Sequence, residues 1–243
     1  MTINKNNNPT EWERLFLGRD TSYIHGPGTP VQPLDTIYLL GSKDIVEDNK
    51  RPRVAIVGTR DISPYGRFCT ERIVQALSIN PLKPVIVSGL AYGVDACAHM
   101  SALLFTLPTV AVMPTGLDTI YPLRHQQLAE RILKNPGSCL LTQFPEGTAP
   151  EPYTFLHRNH VTASICDAVI VVESKAKGGS MVTARFAHKR GIPVYAVPGR
   201  IDDIRSVGCN ELLSSGVARI ISNFNQLSDK NFFKSRTLFP TRE

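Results

Sequence analysis

The sequence predicts a doubly wound, Rossmann-like α/β fold, a mostly parallel sheet with helices on both faces. Two observations carry that expectation. Six apolar runs, at residues 54–60, 85–93, 109–116, 139–147, 168–180 and 194–200, each end in a small, polar, glycine-bearing loop. Runs of Val, Ile, Leu and Ala without polar alternation read as strands buried on both faces, as in a parallel sheet between helix layers. Helical patterns then alternate with these runs, and strand–helix alternation with short loops implies right-handed crossovers. Ligands of such sheets sit outside the carboxyl ends of the strands. The glycine-bearing ends therefore line one rim suited to an anion.

The elements follow in order. Residues 1–9 are Asn-rich and expected to be disordered. Residues 10–50 hold one short apolar stretch, 37–40, ending at Gly41, expected as a strand or helix packed on the main domain. After Gly58 a loop through Ser63, Pro64, Tyr65 and Gly66 leads to a helix ending near Leu77, with Cys69, Ile73, Ala76 and Leu77 at helical spacing. Residues 95–105 carry Ala98, Ala102 and Phe105 on one helical face. A helix over 123–133 starts after Pro122, a position helices tolerate. Short helices are expected at 155–166, 180–190 and 208–215, with a last strand at 219–221. The division is a lead-in of residues 1–50, a Rossmann-like domain of 51–222 and a tail of 223–243.

Composition narrows the class. The formal net charge of +6 favours an anionic partner without specifying nucleic acid. The five cysteines, Cys69, Cys97, Cys139, Cys166 and Cys209, are scattered and form no CxxC pair. They read as reduced thiols of a cytoplasmic protein, not as a disulfide framework or zinc site. No run approaches the ~18 apolar residues of a membrane span, and the N-terminus has no signal-peptide core.

Several α/β chemistries lack their residues. A dinucleotide enzyme needs GxGxxG after the first strand, with an acid after the second. Here the first turn is GTRDISPYG and the second strand ends in Ser88-Gly89. There is no GxxxxGK[ST] of a P-loop and no GxSxG nucleophile elbow. Asp95 and His99, four apart on one helix, are placed to pair, with no nucleophile set beside them by a motif. No catalytic residue, metal or cofactor is expected.

The rim offers binding groups instead. Arg60 follows Gly58-Thr59 at the first strand end and reads either as a phosphate ligand or as a surface arginine in a salt bridge. Residues 88–93, Ser-Gly-Leu-Ala-Tyr-Gly, read as an anion-binding backbone turn or a plain tight turn. Lys177-Gly178-Gly179-Ser180 combines a cation, glycines and a helix start. Phe155, Arg158 and Asn159, ahead of an apolar helix, combine stacking, phosphate-pairing and base-edge groups. The same triplet also reads as a core phenylalanine with an exposed arginine.

These pieces, in order, resemble the DNA-processing protein A (DprA/Smf) family. They are VAIVGTR with Tyr65-Gly66, VSGLAYGVDACAH, TVAVMPTGLDTIYP, FLHRNHVTA, VVESKAKGGSMVTARFA, Pro198-Gly199 and GCNELLSSGVARI. Each is weak alone, and together they span residues 53–221. The resemblance implies a single-stranded DNA-binding protein without turnover, which dimerises and loads a RecA-type recombinase in transformation or recombination. It makes Arg60, Phe155, Arg158, Asn159, Lys177 and Ser180 the DNA contacts, with Gly58, Gly89, Gly178 and Gly179 shaping the pocket. Apolar residues near Leu212, Leu213, Ile220 and Ile221 are the expected dimer contact, and equally fit a core. The family's FPxRN reads FLHRN here, with Leu156 at the proline. Residues 1–50 look too short for the SAM-type domain of many members, and the tail after Ser222 too short for a winged helix.

Two readings on the same fold compete. Phosphoribohydrolases of the lysine-decarboxylase-like type carry PGGxGTxxE, whereas the comparable stretch here, KGGSMVTARF, has Arg185 or Phe186 at the glutamate's place. A nucleotide-binding sensor would use the same rim.

Overall fold

The computed structural model describes residues 13–15, 37–47 and 51–237. The expected disorder of residues 1–9 lies outside them. One nine-stranded sheet organises the chain, in the order β1-β2-β6-β5-β4-β3-β7-β8-β9. The strands are β1 (Glu13–Leu15), β2 (Ile37–Gly41), β3 (Arg53–Val57), β4 (Val85–Ser88), β5 (Thr109–Val112), β6 (Cys139–Thr142), β7 (Ala168–Val171), β8 (Val194–Ala196) and β9 (Arg219–Ile220). Strands β3 to β9 pair in parallel, while β2 joins β6 antiparallel and β1 joins β2 antiparallel. The apolar stretch before Gly41 is thus a strand of the main sheet.

The helices divide between the two faces. α2 (Pro64–Ile79), α3 (Val94–Leu104) and α4 (Gln126–Lys134) cover one face. There Ile73 and Leu77 of α2 and Ala98 and Ala102 of α3 meet Val54, Ile56 and Ile86, and α4 closes over Ala111 and Leu140. α1 (Asp44–Glu47), α5 (Pro152–Ser164), α6 (Gly179–Lys189) and α7 (Val207–Ser214) cover the other. There Val161, Met181, Ala184 and Leu212 meet Ala55, Val57, Val169 and Val171. The five central parallel strands β3 to β7 are buried at every position, as their uninterrupted apolar runs require.

From β3 the chain winds outward through β4, β5 and β6, then returns past β3 to β7 and winds the other way. The order reverses between β3 and β7, the point where doubly wound sheets open a crevice. Two devices hold that point together. Thr59 N donates to the Glu173 carbonyl at 2.8 Å. The buried Glu173 carboxylate accepts from Ser63 N at 2.9 Å and from the Ser63 hydroxyl. Gly66 is required beside it, since a methyl group there would overlap that carboxylate.

Several boundaries differ from the sequence reading. Pro64, Tyr65 and Gly66 form the first turn of α2, because Ser63 caps it by accepting from Gly66 N at 3.0 Å. The helix expected at 123–133 opens as a 3-10 turn (Leu123–His125) before α4. α5 starts at Pro152, where Glu151 and Thr154 form a capping box. Phe155, Arg158 and Asn159 therefore lie on this helix, where the helix expected at 155–166 also places them, and not ahead of it as the triplet's other reading has them, and Leu156 continues it regularly. Leu212 and Ile221 belong to the core and Leu213 packs partly against it, so Ile220 alone of the four is well exposed. A 3-10 segment (Phe224–Ser228) packs back on α2, tied by Asn80 Nδ2 donating to the Leu227 and Asp229 carbonyls at 2.9 Å.

Candidate nucleic-acid interface

A cleft of about 430 Å³ opens at the β3/β7 reversal. Its walls include Gly58 and Arg60 after β3, Gly89 after β4, and Phe155, Arg158 and Asn159 from α5. Lys177, Gly178, Gly179 and Ser180 close it at the start of α6. All ten residues singled out from the sequence thus meet at one place.

Their environments differ. Arg60 is exposed and its guanidinium lies over the Phe155 ring, 5.3 Å from the centroid. Phe155 is braced edge-on by Tyr121 at 5.5 Å. The guanidinium covers one face of the ring, so a cation and an aromatic surface stand together on the cleft wall. Across the cleft, Gly178 occupies the N-cap position of α6 and no side chain caps that helix. Backbone N–H groups at such an end favour an anion. Lys177 beside them is exposed, while Ser180 is buried and donates to Ser174 Oγ at 2.8 Å. Asn159 Nδ2 donates to the Gly179 carbonyl at 3.3 Å, tying α5 to that turn.

Arg158 is buried on the cleft floor, 6 % exposed, and not at the surface. Its Nη1 stands 3.7 Å from Asp95 Oδ2, and its Nε has no acceptor. Burial pulls the guanidinium down from its ordinary range, Asp95 opposes that, and nearby Arg60 adds to it. Asp95 is buried too. Burial pushes its carboxyl up, against the pull of Arg158 and the N–H groups of Ala91 and Gly89.

Asp95 corrects two expectations. It does not pair with His99, whose Nδ1 meets Thr109 Oγ1 at 2.7 Å against the sheet. The turn at 88–93 has its N–H groups filled from within: Gly89 N and Ala91 N donate to Asp95 Oδ2 at 3.2 and 3.3 Å. Asp61, in the first strand-end loop, also lines the cleft, and Asp95 therefore adds a second acid to it. Its signal was an aspartate two residues past a glycine turn, close enough to fold back on it. Ser174, Lys175 and Thr162 also line the cleft. Ser174 and Lys175 lie in the loop after β7, whereas Thr162 enters only because α5 runs past the floor.

Fold and cleft define a doubly wound α/β protein with a cationic, aromatic-edged crevice at its strand-order reversal. The chain belongs to the DNA recombination-mediator protein A family, whose model matches residues 23–231. It is 37 % identical over 196 residues to DNA processing protein DprA of Streptococcus pneumoniae, covering 81 % of this chain and 67 % of that one. It is 39 % identical over 196 residues to Protein Smf of Synechocystis, covering 80 % of this chain and 48 % of the other, so it spans about half that relative's length. Among solved structures it is similar to DNA processing protein A from Helicobacter pylori, described for its single-stranded DNA binding mode. The TM-score is 0.75 at 31 % identity, covering 93 % of this chain and 95 % of that one.

Proposed function

We propose that this protein binds single-stranded DNA in the β3/β7 cleft and holds the strand without transforming it. The observation that carries this reading is the convergence of Arg60, Arg158, Lys177 and the uncapped α6 N-terminus around the Phe155 ring. Cations and N–H groups suit phosphates, and an aromatic face accepts any base. The single-stranded DNA binding described for the similar Helicobacter pylori protein supports it.

Holding rather than hydrolysis is supported by the use of nearby side chains. Arg185 pairs with Glu211 at 2.6 Å and Phe186 stacks on His160 at 4.3 Å, where a phosphoribohydrolase has its glutamate. The Asp95 carboxylate is engaged by two N–H groups and an arginine. In the cytoplasm the protein would act as a homodimer and pass its strand to a RecA-type recombinase, a role in keeping with a recombination-mediator family. The half-exposed Ile220 at the β9 edge is the contact it offers a second copy.

Binding of labelled poly-dT across a salt series tests the reading. Micromolar or tighter affinity is expected, with a preference over duplex. The slope of log K against log salt should be about −2 to −3.5 for roughly three to five phosphates. A salt-insensitive isotherm rejects the mechanism. Release of free base from a nucleoside monophosphate would make the protein an enzyme, and displacement of poly-dT by mononucleotide at equal concentration would make it a nucleotide sensor. Light scattering reads the dimer.

A further inference from the structure

The cleft carries a negative charge that binding an anion does not call for. Asp95 Oδ2 sits in the backbone turn after β4, accepting from Gly89 N and Ala91 N, and faces Arg158 Nη1 at 3.7 Å. That separation is an ion pair without a hydrogen bond. Arg158 Nε is buried and has no acceptor. Gly89 is the residue that lets the guanidinium lie there, since a methyl group would overlap Nη1. Arg158 is thus held by charge and packing on the cleft floor with hydrogen-bonding capacity left over.

We propose that Asp95 is a positioning residue that also acts as a brake: it holds Arg158 in the empty cleft and must share it when a phosphate enters. The proposal rests on the single-strand reading of this cleft and adds a regulation to it. A buried arginine with no counter-charge is costly to fold. Asp95 removes that cost, and by standing opposite the arginine it also lowers the cleft's attraction for a phosphate. Removing the charge while keeping the shape should therefore separate stability from affinity. Asp95→Asn keeps an acceptor oxygen for Gly89 N and Ala91 N and loses only the charge.

The test compares wild type, Asp95→Asn, Arg158→Met and the double variant by thermal melting and by salt-dependent binding of poly-dT. Asp95→Asn should melt lower by roughly 5 °C. It should bind poly-dT tighter by about three- to tenfold, and its salt slope should steepen by about 0.7, the increment for one more phosphate. In the Arg158→Met background the same change should alter affinity less than twofold. Weaker or unchanged binding by folded Asp95→Asn overturns the proposal, as does an equal gain without Arg158. Should the variant not fold, the wild-type Asp95 carboxyl carbon resonance decides: it should move on saturation with poly-dT, and its constancy overturns the brake. Inorganic phosphate serves as a second probe. If wild type binds no poly-dT but Asp95→Asn gains phosphate affinity through Arg158, the DNA reading fails and the brake stands.

Discussion

Two glycine loops flank the cleft. After β7, Lys177-Gly178-Gly179-Ser180 enters α6 with no side chain capping the helix. After β4, Ser88-Gly89 leads to α3, and the Asp95 carboxylate folds back onto the N–H groups of Gly89 and Ala91. In sequence both are small residues between a buried strand and a helix. In the structure one leaves its helix end without a side-chain cap and the other is closed by the chain's own anion. A glycine-rich strand end thus specifies a place for an anion, and the residues a few positions on decide whether the protein supplies it.

The largest test breaks the open side of the comparison. Arg60→Ala with Lys177→Ala removes two cations and leaves the filled loop untouched. Each charge-assisted contact is worth about 1.5–3 kcal/mol, so poly-dT affinity should fall at least about a hundredfold. Melting should change little, because both residues are exposed. Binding within tenfold of wild type would place the strand elsewhere.

Gly89→Ala breaks the filled side. The new methyl overlaps Arg158 Nη1 and approaches Asp95 Oδ2 to 2.9 Å, so the buried pair must part. Affinity should fall about tenfold, because the methyl displaces the Arg158 guanidinium from the cleft floor, and melting should fall by several degrees, since a buried charge loses its partner. Gly178→Ala, on the open loop, meets the Ser174 hydroxyl at 2.6 Å, which can turn away by giving up neutral hydrogen bonds with Ser180 and the Lys175 carbonyl and no ion pair. Its cost in melting should be smaller. Equal losses from the two would erase the distinction between the loops.

Acid should also act through the filled side. His99 on α3 is buried, and its Nε2 has no partner. Thr109 Oγ1 donates to the Ile86 carbonyl at 2.9 Å and so accepts from His99 Nδ1–H. Burial chiefly, with the nearby His125 and Arg158, lowers the imidazole to about 3. Between an unfolded value near 6.5 and this folded value, the unfolded chain binds more protons. The stability is therefore complete above about pH 6.5 and lost as pH falls toward 3, by about 1 kcal/mol per unit from this residue. Chemical denaturation at several pH values measures the slope, and His99→Gln should flatten it. An unchanged slope would mean that His99 is not what acid attacks.

The parallel sheet was legible because fully buried strands leave uninterrupted apolar runs, and each of the six falls on an observed strand. The cleft was legible as a set of residue types, since Arg60, Phe155, Lys177 and the glycines lie next to strand ends or a helix start. What stayed hidden depended on long-range packing. Arg158 is buried because α5 crosses the floor beneath Gly89, a contact between residues far apart in the chain. Asp95 and His99 share helical spacing, yet one turns back to a loop and the other into the sheet. Leu212 is buried where α7 packs on the sheet and Ile221 just past β9, whereas Ile220 at the end of β9 stays exposed, a difference that packing and not residue type decides.

The smallest effect is the most discriminating for the open loop. Gly179 is the first residue of α6, and a methyl there would meet only Asn159 Nδ2, at an ordinary 3.5 Å. Its backbone is not among the glycines of positive φ. Neither crowding nor backbone strain therefore demands glycine at this position. Alanine should stabilise the fold by about 0.5 kcal/mol, through the entropy glycine loses in a helix. It would also stand over the helix end that a phosphate must approach, and should weaken poly-dT binding severalfold. A small rise in melting temperature with a fall in affinity would show that this glycine serves the ligand and not the fold. A rise in both would move the phosphate away from the α6 end, leaving Arg60, Arg158 and Lys177 to carry the strand by charge alone.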